Sequence, residues 1–392
     1  MMSFADRTAK LKPEGALQIL AKAKALEAKG RSIIHLEIGE PDFDAPPNVS
    51  LAGIRAISSG QGNYTATNGL PALREAIAAY MMQRRKGMQI APDQVVVCPG
   101  GKPMLFFPTM ALVNPGDEVI YPDPGFPTYQ DMVHIAGGVP IPVPLSEENN
   151  FSFDLDKFDT LVNEKTRLIV INTPGGNPTG GVIPLKDLEH IAAAAKKYDC
   201  WVLSDEIYER MVYDDLETYS IAEIPGMAER TIILNGFSKT YAMTGWRIGF
   251  GIMPAELAKR VGLLLTHSVS CTAEFTQIAA IEALTGDQSA VDGMLAAYDQ
   301  RRKAIVNGLN AIPGVSCLMP QAAFYAFPNI KSFGRTSVEI ADLMLEEAGV
   351  ALLPGTAFGQ YGEGYLRLSY ANSLENIHEA VERMSKLFSK LN

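Results

Sequence analysis

The sequence predicts an α/β protein: a mostly parallel sheet with helices packed on both faces, joined to a smaller α+β part. Two observations carry this. Between residues 94 and 251, short continuous apolar runs recur at 94–98, 118–121, 167–171, 201–204, 231–234 and 248–251, separated by helix-like stretches. Unbroken apolar runs of this length mark strands buried on both faces, as in parallel sheets covered by crossover helices. After about residue 285 that rhythm gives way to a long helical stretch and several short extended pieces.

Taken in order, residues 17–29 are rich in Ala, Leu and Lys and read as a helix ended by Gly30. Residues 33–36 lead into the turn Gly39-Glu40-Pro41-Asp42-Phe43. A helix follows over 70–83, and the first apolar run is closed by Pro99-Gly100-Gly101. The uncharged stretch 103–116 is too short to span a membrane and is broken by Pro108, so it reads as a buried helix. Beyond the succession of runs come a helix over 289–310, extended pieces at 315–317, 322–327, 350–353 and 365–370, a helix over 337–347 and a last helix over 373–391. The first helix has no place in the βα succession and is assigned to this smaller part.

Composition bounds the function. The chain has 392 residues, 47% hydrophobic and 20% charged, which is globular rather than disordered. Its net charge of −10, with acidic residues scattered, argues against a nucleic-acid surface. Two short basic clusters, Arg84-Arg85-Lys86 and Arg301-Arg302-Lys303, read as solvated helix faces. Cys98, Cys200, Cys271 and Cys317 lie far apart, with no metal or redox spacing. No apolar leader is seen, so a reducing cytoplasm is the expected location, with no metal site and no membrane segment.

Parallel sheets bind ligands at the carboxyl ends of their strands. After the first run stands Gly100-Gly101-Lys102, where free N–H groups opening a helix can cradle an anion. The third is followed by Asn172-Thr173-Pro174-Gly175-Gly176-Asn177-Pro178-Thr179-Gly180, a constrained loop presenting Asn177. Asp205 closes the fourth, where a carboxylate is costly without a partner. The fifth leads to Ser238-Lys239 and, eight residues on, Arg247. A lysine beside a cation at a buried strand end is a nucleophile for carbonyls, and an arginine can clamp an anion. Each feature alone has a plain structural reading: a helix cap, a turn, an N-cap aspartate, a solvated lysine. Together they describe a site for an anionic aromatic aldehyde with a ring nitrogen, which pyridoxal 5′-phosphate fits.

These residues resemble the class I/II aminotransferases, the fold type I pyridoxal-phosphate enzymes of the aspartate aminotransferase kind. The resemblance runs from Gly39-Glu40-Pro41-Asp42-Phe43 to Arg367-Leu368-Ser369-Tyr370, through Asn177-Pro178-Thr179-Gly180, Asp205-Glu206-Ile207-Tyr208 and Gly245-Trp246-Arg247. It implies a large cofactor domain over 48–287 with a mostly parallel seven-stranded sheet, and a small α+β domain built from 1–47 and 288–392. It implies that Lys239 binds the cofactor covalently and then moves the substrate proton, and that Asp205 pairs with the ring nitrogen. Asn177 and Tyr208 would bond the phenolic oxygen, and Phe126 would stack on the ring. The phosphate would be held by Gly100, Gly101, Lys102, Ser238 and Arg247, with Tyr64 reaching across from a partner subunit of a homodimer. Arg367, with Gly39 and Asn177, would take the substrate α-carboxylate.

The implied reaction is ping-pong transfer of an amino group from an L-amino acid to a 2-oxo acid. The expected donor is of the aspartate or alanine type, with 2-oxoglutarate or pyruvate as acceptor, and an aromatic or other neutral donor is the alternative. His267 is a weak candidate for holding a distal carboxylate. Two departures from the family pattern stand out: Gly175-Gly176 makes the loop before Asn177 one residue longer, and Gly236 stands where relatives carry a phosphate-binding hydroxyl. The lengthened loop is the one hint toward the rival reactions on the same cofactor: β- or γ-elimination, replacement or oxidation.

Overall fold

In a computed structural model, which describes residues 4–11 and 13–391, seven strands form the central sheet. A short strand β1 (Ile34–His35) comes first. The sheet then takes β2 (Val95–Cys98), β3 (Glu118–Asp123), β4 (Val139–Pro144), β5 (Thr166–Asn172), β6 (Trp201–Asp205), β7 (Thr231–Gly236) and β8 (Gly249–Ile252). Their spatial order is β2-β8-β7-β6-β5-β3-β4. Only β8 runs antiparallel to its neighbours, so the carboxyl ends of the other six share one edge.

The continuous apolar runs are explained by the two faces they serve. Along β2, Val96 and Cys98 pack with Met104, Leu105 and Val261 from helices on one side. Val95 and Val97 pack with Leu73, Ile77 and Ala280 from helices on the other. With a period of two, every residue of the strand is therefore inside.

Strand β4 was not among the expected runs, because Pro140, Pro142 and Pro144 give it the look of a loop. It lies at the sheet edge, paired only with β3. Val139 and Leu145 donate their N–H groups to Asp117 and Asp123, so the prolines alternate onto the outer side, where no ladder bond is owed.

The carboxy-terminal part is more broken than expected. It holds β9 (Tyr325–Ala326), β10 (Val350–Ala351), β11 (Leu353–Pro354) and β12 (Leu366–Ser369). Strands β11, β12 and β9 form a three-stranded antiparallel sheet, while β10 pairs with β1. Ser316 makes only an isolated bridge to Asn329, and the helix Ser337–Leu343 widens into a π turn over Met344–Ala348. The helix Gly15–Glu27 packs Ile19 and Ala23 against Leu345, Leu353 and Phe358 of this part. The expected outer limits at residues 1–3 and 392, and residue 12, lie outside the described residues.

The basic clusters are solvated only in part: Arg84, Lys86 and Lys303 are exposed as expected, but Arg85 and Arg302 are buried. Arg85 is buried and paired with the fully buried Glu206, which also accepts the hydroxyls of Ser204 (3.0 Å) and Ser220 (2.5 Å). Arg84 bonds Glu209 at 2.6 Å. Arg302, also buried, donates from Nη2 to both oxygens of Asp214 at 2.8 Å and lies over the Tyr213 ring. A buried carboxylate needs a fixed cation, and Glu206 draws Arg85 inward on that ground; Arg302 is buried against carboxylates that are themselves at the surface.

Removing one partner of such a pair strands the other charge. Arg85→Met is expected to lower stability by about 3–5 kcal/mol, measured by urea unfolding, and Arg85→Met with Glu206→Leu to recover much of the loss. An unchanged midpoint in the single variant would contradict the burial of this pair.

Candidate active site

A cavity of about 380 Å³ opens at the carboxyl edge of the sheet, between it and the carboxy-terminal part. That is within the range of small-molecule sites. Each strand end contributes. The loop after β2 supplies Gly101 and Lys102, the loop after β5 Asn177, the end of β6 Asp205 and Tyr208, and the loop after β7 Ser238 and Lys239. Phe126, Arg247, Gly39 and Arg367 also stand on the wall; of the expected residues, Gly100 and Tyr64 do not line it.

Asp205 is buried. Its Oδ2 accepts the Tyr129 hydroxyl at 2.8 Å, and its Oδ1 accepts the Ile207 N–H at 3.2 Å. Burial pushes its carboxyl up to about 6, against the pull of those two donors. Lys239 points the other way: desolvation brings its ammonium down to about 8, with Glu40 opposing the shift and Arg367 and Arg247 adding to it. Its Nζ donates to the Gly39 carbonyl at 2.5 Å. A carboxyl that holds its proton more tightly and an amine that holds its proton less tightly thus face one cavity, the usual sign of a site built for proton and carbonyl chemistry.

Arg367 is buried on β12. Its Nη2 donates to the Glu37 carbonyl, its Nη1 reaches Asn177 Oδ1 at 3.5 Å, and its Nε is buried without a partner among the described residues. The guanidinium lies over the rings of Tyr325 (4.8 Å) and Phe358 (5.1 Å). A flat cation with spare donors is suited to a carboxylate.

At the sheet end of the cavity, Gly100 has φ +84°, and a methyl there would run into the Arg247 guanidinium. The bare backbone lets Arg247 close over the first turn of the helix Pro103–Leu112. Ser238, Arg247 and the N–H groups of Gly101 and Lys102 could hold an anion there. The Lys102 side chain does something else: it pairs with Glu14 and lies over the Phe126 ring.

Tyr64 is not part of this chain's cavity. It is 90% exposed on the loop between helices Pro47–Ser58 and Pro71–Arg84. His267, at the end of helix Ala255–Thr266, is likewise on the surface. Three wall residues went unnoticed in the sequence. Tyr129 supports Asp205. Asn172 accepts the Asn177 N–H at 2.9 Å and donates to the Asp205 carbonyl at 3.0 Å. Tyr325 meets Tyr208, hydroxyl to hydroxyl, at 2.8 Å. Only Tyr129 had a local signal, standing three residues after Phe126 at the start of the helix Thr128–Ala136. Among the described residues no cluster of three or more His, Cys, Asp or Glu could hold a metal, and no helix is long and apolar enough to cross a membrane.

Comparison with known proteins agrees with this geometry. The family model "Aminotransferase class I and II" matches residues 31–384. An aspartate aminotransferase of Pyrococcus abyssi is 41% identical over 389 residues, 98% of each chain. An aromatic-amino-acid aminotransferase of Thermococcus litoralis is 40% identical over 99% of each. The crystal structure of the aspartate aminotransferase from Rhizobium meliloti superposes with a TM-score of 0.95 at 34% identity, over 99% of both chains.

The raised carboxyl makes a stability prediction for the cofactor-free protein. Asp205 binds its proton more tightly folded than unfolded, so its contribution falls as pH rises from about 4 to about 6 and stays unfavourable above. Asp205→Asn should therefore be more stable than the parent at pH 7.5, by on the order of 2 kcal/mol in urea unfolding, with the gap closing toward pH 4. A less stable variant at pH 7.5 would contradict the assignment.

Proposed function

The chain belongs to the class I and II aminotransferases, and from that premise we propose that it holds pyridoxal 5′-phosphate against Lys239 and moves the amino group of an L-amino acid to a 2-oxo acid in two half-reactions. The observation that carries this is Lys239 and Asp205 on one cavity with Arg367 over two rings on its wall.

The residues present fit that cofactor. Among the described residues Asp205 accepts hydrogen bonds only from neutral donors, and a protonated ring nitrogen would supply the contact cation it lacks. The bare Gly100 beside Arg247 and the helix start after it suit a phosphate. Lys239, near 8, has an appreciable amine fraction at neutral pH with which to engage a carbonyl. The cofactor, when bound, supplies a protonated ring that takes up the electron pair left at the substrate Cα.

The chain's own residues do the rest. Arg367 grips the α-carboxylate with its spare donors, aided by Asn177 and the Gly39 backbone. Lys239, whose ammonium is brought down to about 8, would serve as the base that takes and returns the proton at the substrate Cα. Tyr208 and Asn177 would donate to the phenolic oxygen, and Phe126 would stack on the ring. Gly100, Gly101, Lys102, Ser238 and Arg247 hold the phosphate. The division into a cofactor domain over 48–287 and a small domain from the two ends belongs to the same reading. So does a cytoplasmic homodimer in which the exposed Tyr64 serves the partner's phosphate. Support for a second copy comes from Leu51, Ile54 and Ile57, half-exposed apolar residues on the helix Pro47–Ser58 beside the Tyr64 loop.

For the donor, the aspartate or alanine type is read first, in keeping with the names of the relatives. A neutral or aromatic donor is the second reading, and one feature favours it: Leu17, Ile38, Leu353 and Phe358 give the outer wall an apolar character.

Purified protein loaded with the cofactor should be yellow, and borohydride reduction should fix the label on Lys239. Lys239→Ala should lose turnover by at least about 10⁴-fold in a coupled assay. An amino acid added alone should release one equivalent of oxo acid per site and stop. Continuous release of ammonia or peroxide would overturn transamination.

A further inference from the structure

We propose that Tyr325 is a positioning residue that ties the carboxylate-binding Arg367 to Tyr208 and sets the direction in which the Tyr208 hydroxyl donates. This rests on the cofactor reading above and extends it to a residue that reading leaves without a role.

Tyr325 is buried on β9, and its partner in the sheet is Ser369 of β12, two residues beyond Arg367. Its ring lies under the Arg367 guanidinium at 4.8 Å. Its hydroxyl stands 2.8 Å from that of Tyr208, and the two rings meet edge to face. One proton fills a hydroxyl–hydroxyl contact. Among the described residues Tyr208 is the only hydrogen-bond partner of the Tyr325 hydroxyl. If Tyr208 spends its proton on a ligand in the cavity, Tyr325 must donate to the Tyr208 oxygen. Two hydroxyls donating in the same sense polarise each other, so Tyr208 becomes the stronger donor.

The backbone around Tyr325 is held for this purpose. The Ala323 carbonyl accepts the hydroxyls of both Tyr213 and Tyr370, and the Ala323 N–H donates to Met211 at 2.8 Å. The hydroxyl also explains a glycine. A methyl on Gly39 would run into the Tyr325 hydroxyl, and the Gly39 carbonyl is the acceptor for Lys239. Tyr325 therefore sits where the carboxylate arginine, the catalytic lysine and the phenol-binding tyrosine converge.

The test is the pH titration of the visible absorption band of the cofactor-loaded enzyme. Tyr325→Phe keeps the ring and removes the hydroxyl. With a weaker donor on its phenolic oxygen, the chromophore should hold its proton more tightly, raising the midpoint by about 0.3–0.7 pH unit. The same change made in a Tyr208→Phe background should produce no further shift. Gly39→Ala, which displaces the hydroxyl without deleting it, should also raise the midpoint, and it decides the matter if Tyr325→Phe does not fold. A midpoint that stays in place in a folded Tyr325→Phe enzyme, or an equal shift with and without Tyr208, would overturn the proposal. Absence of any visible band would overturn the cofactor reading and this proposal with it.

Discussion

Asp205 and Glu206 are consecutive carboxylates at the end of a central strand, and the difference between them organises the site. The alternation of the strand turns them to opposite faces. Glu206 faces inward to Arg85, Ser204 and Ser220 and has its charge met within the protein. Asp205 faces the cavity and, among the described residues, is hydrogen-bonded only by Tyr129 and the Ile207 N–H, both neutral, with the Lys239 charge acting on it weakly from across the cavity. A buried carboxylate in that state is costly, and burial raises its proton affinity accordingly. One acid braces the strand end; the other is left in want of a cation from outside the chain.

The remaining geometry follows from keeping Asp205 in that state. The parallel sheet brings the ends of β2, β5, β6 and β7 to one edge, so that lysine, asparagine and the anion-binding turn converge without a long loop. Asn172 joins the loop after β5 to the end of β6 and holds Asn177 beside Asp205. The carboxy-terminal part closes the other side with Arg367 over two rings. Asp123, at the end of β3, accepts the N–H groups of Gln360 and Tyr361, and Gly125 donates to the Phe358 carbonyl at 2.8 Å. Those bonds fasten the loop carrying Phe358, and so a ring on which Arg367 rests, to the end of β3 and the loop after it that carries Phe126.

Much of this was legible in the sequence because the information was local. Six of the seven central strands announced themselves as unbroken apolar runs, since both of their faces are buried. The Asp205 and Lys239 positions stood out because a charged residue at the end of such a run is unusual. What failed to show depended on tertiary neighbours. The prolines of β4 look like a loop until the strand is known to be at the edge. Arg85 and Arg302 look like surface charges until Glu206 and Asp214 are found beside them. Tyr325 reads as one more aromatic in residues 322–327, and only the fold brings its hydroxyl to Tyr208. Tyr64 reads the same before and after, because its expected role lies on another subunit.

The role of Asp205 is tested most directly by nitrogen NMR of cofactor labelled with ¹⁵N in its ring and bound to the protein at pH 7.5. A resonance in the protonated range is expected for the parent enzyme, moving to the neutral range in Asp205→Asn. A neutral ring nitrogen in the parent enzyme would contradict the claim that this carboxylate is kept buried and uncompensated in order to hold a cation.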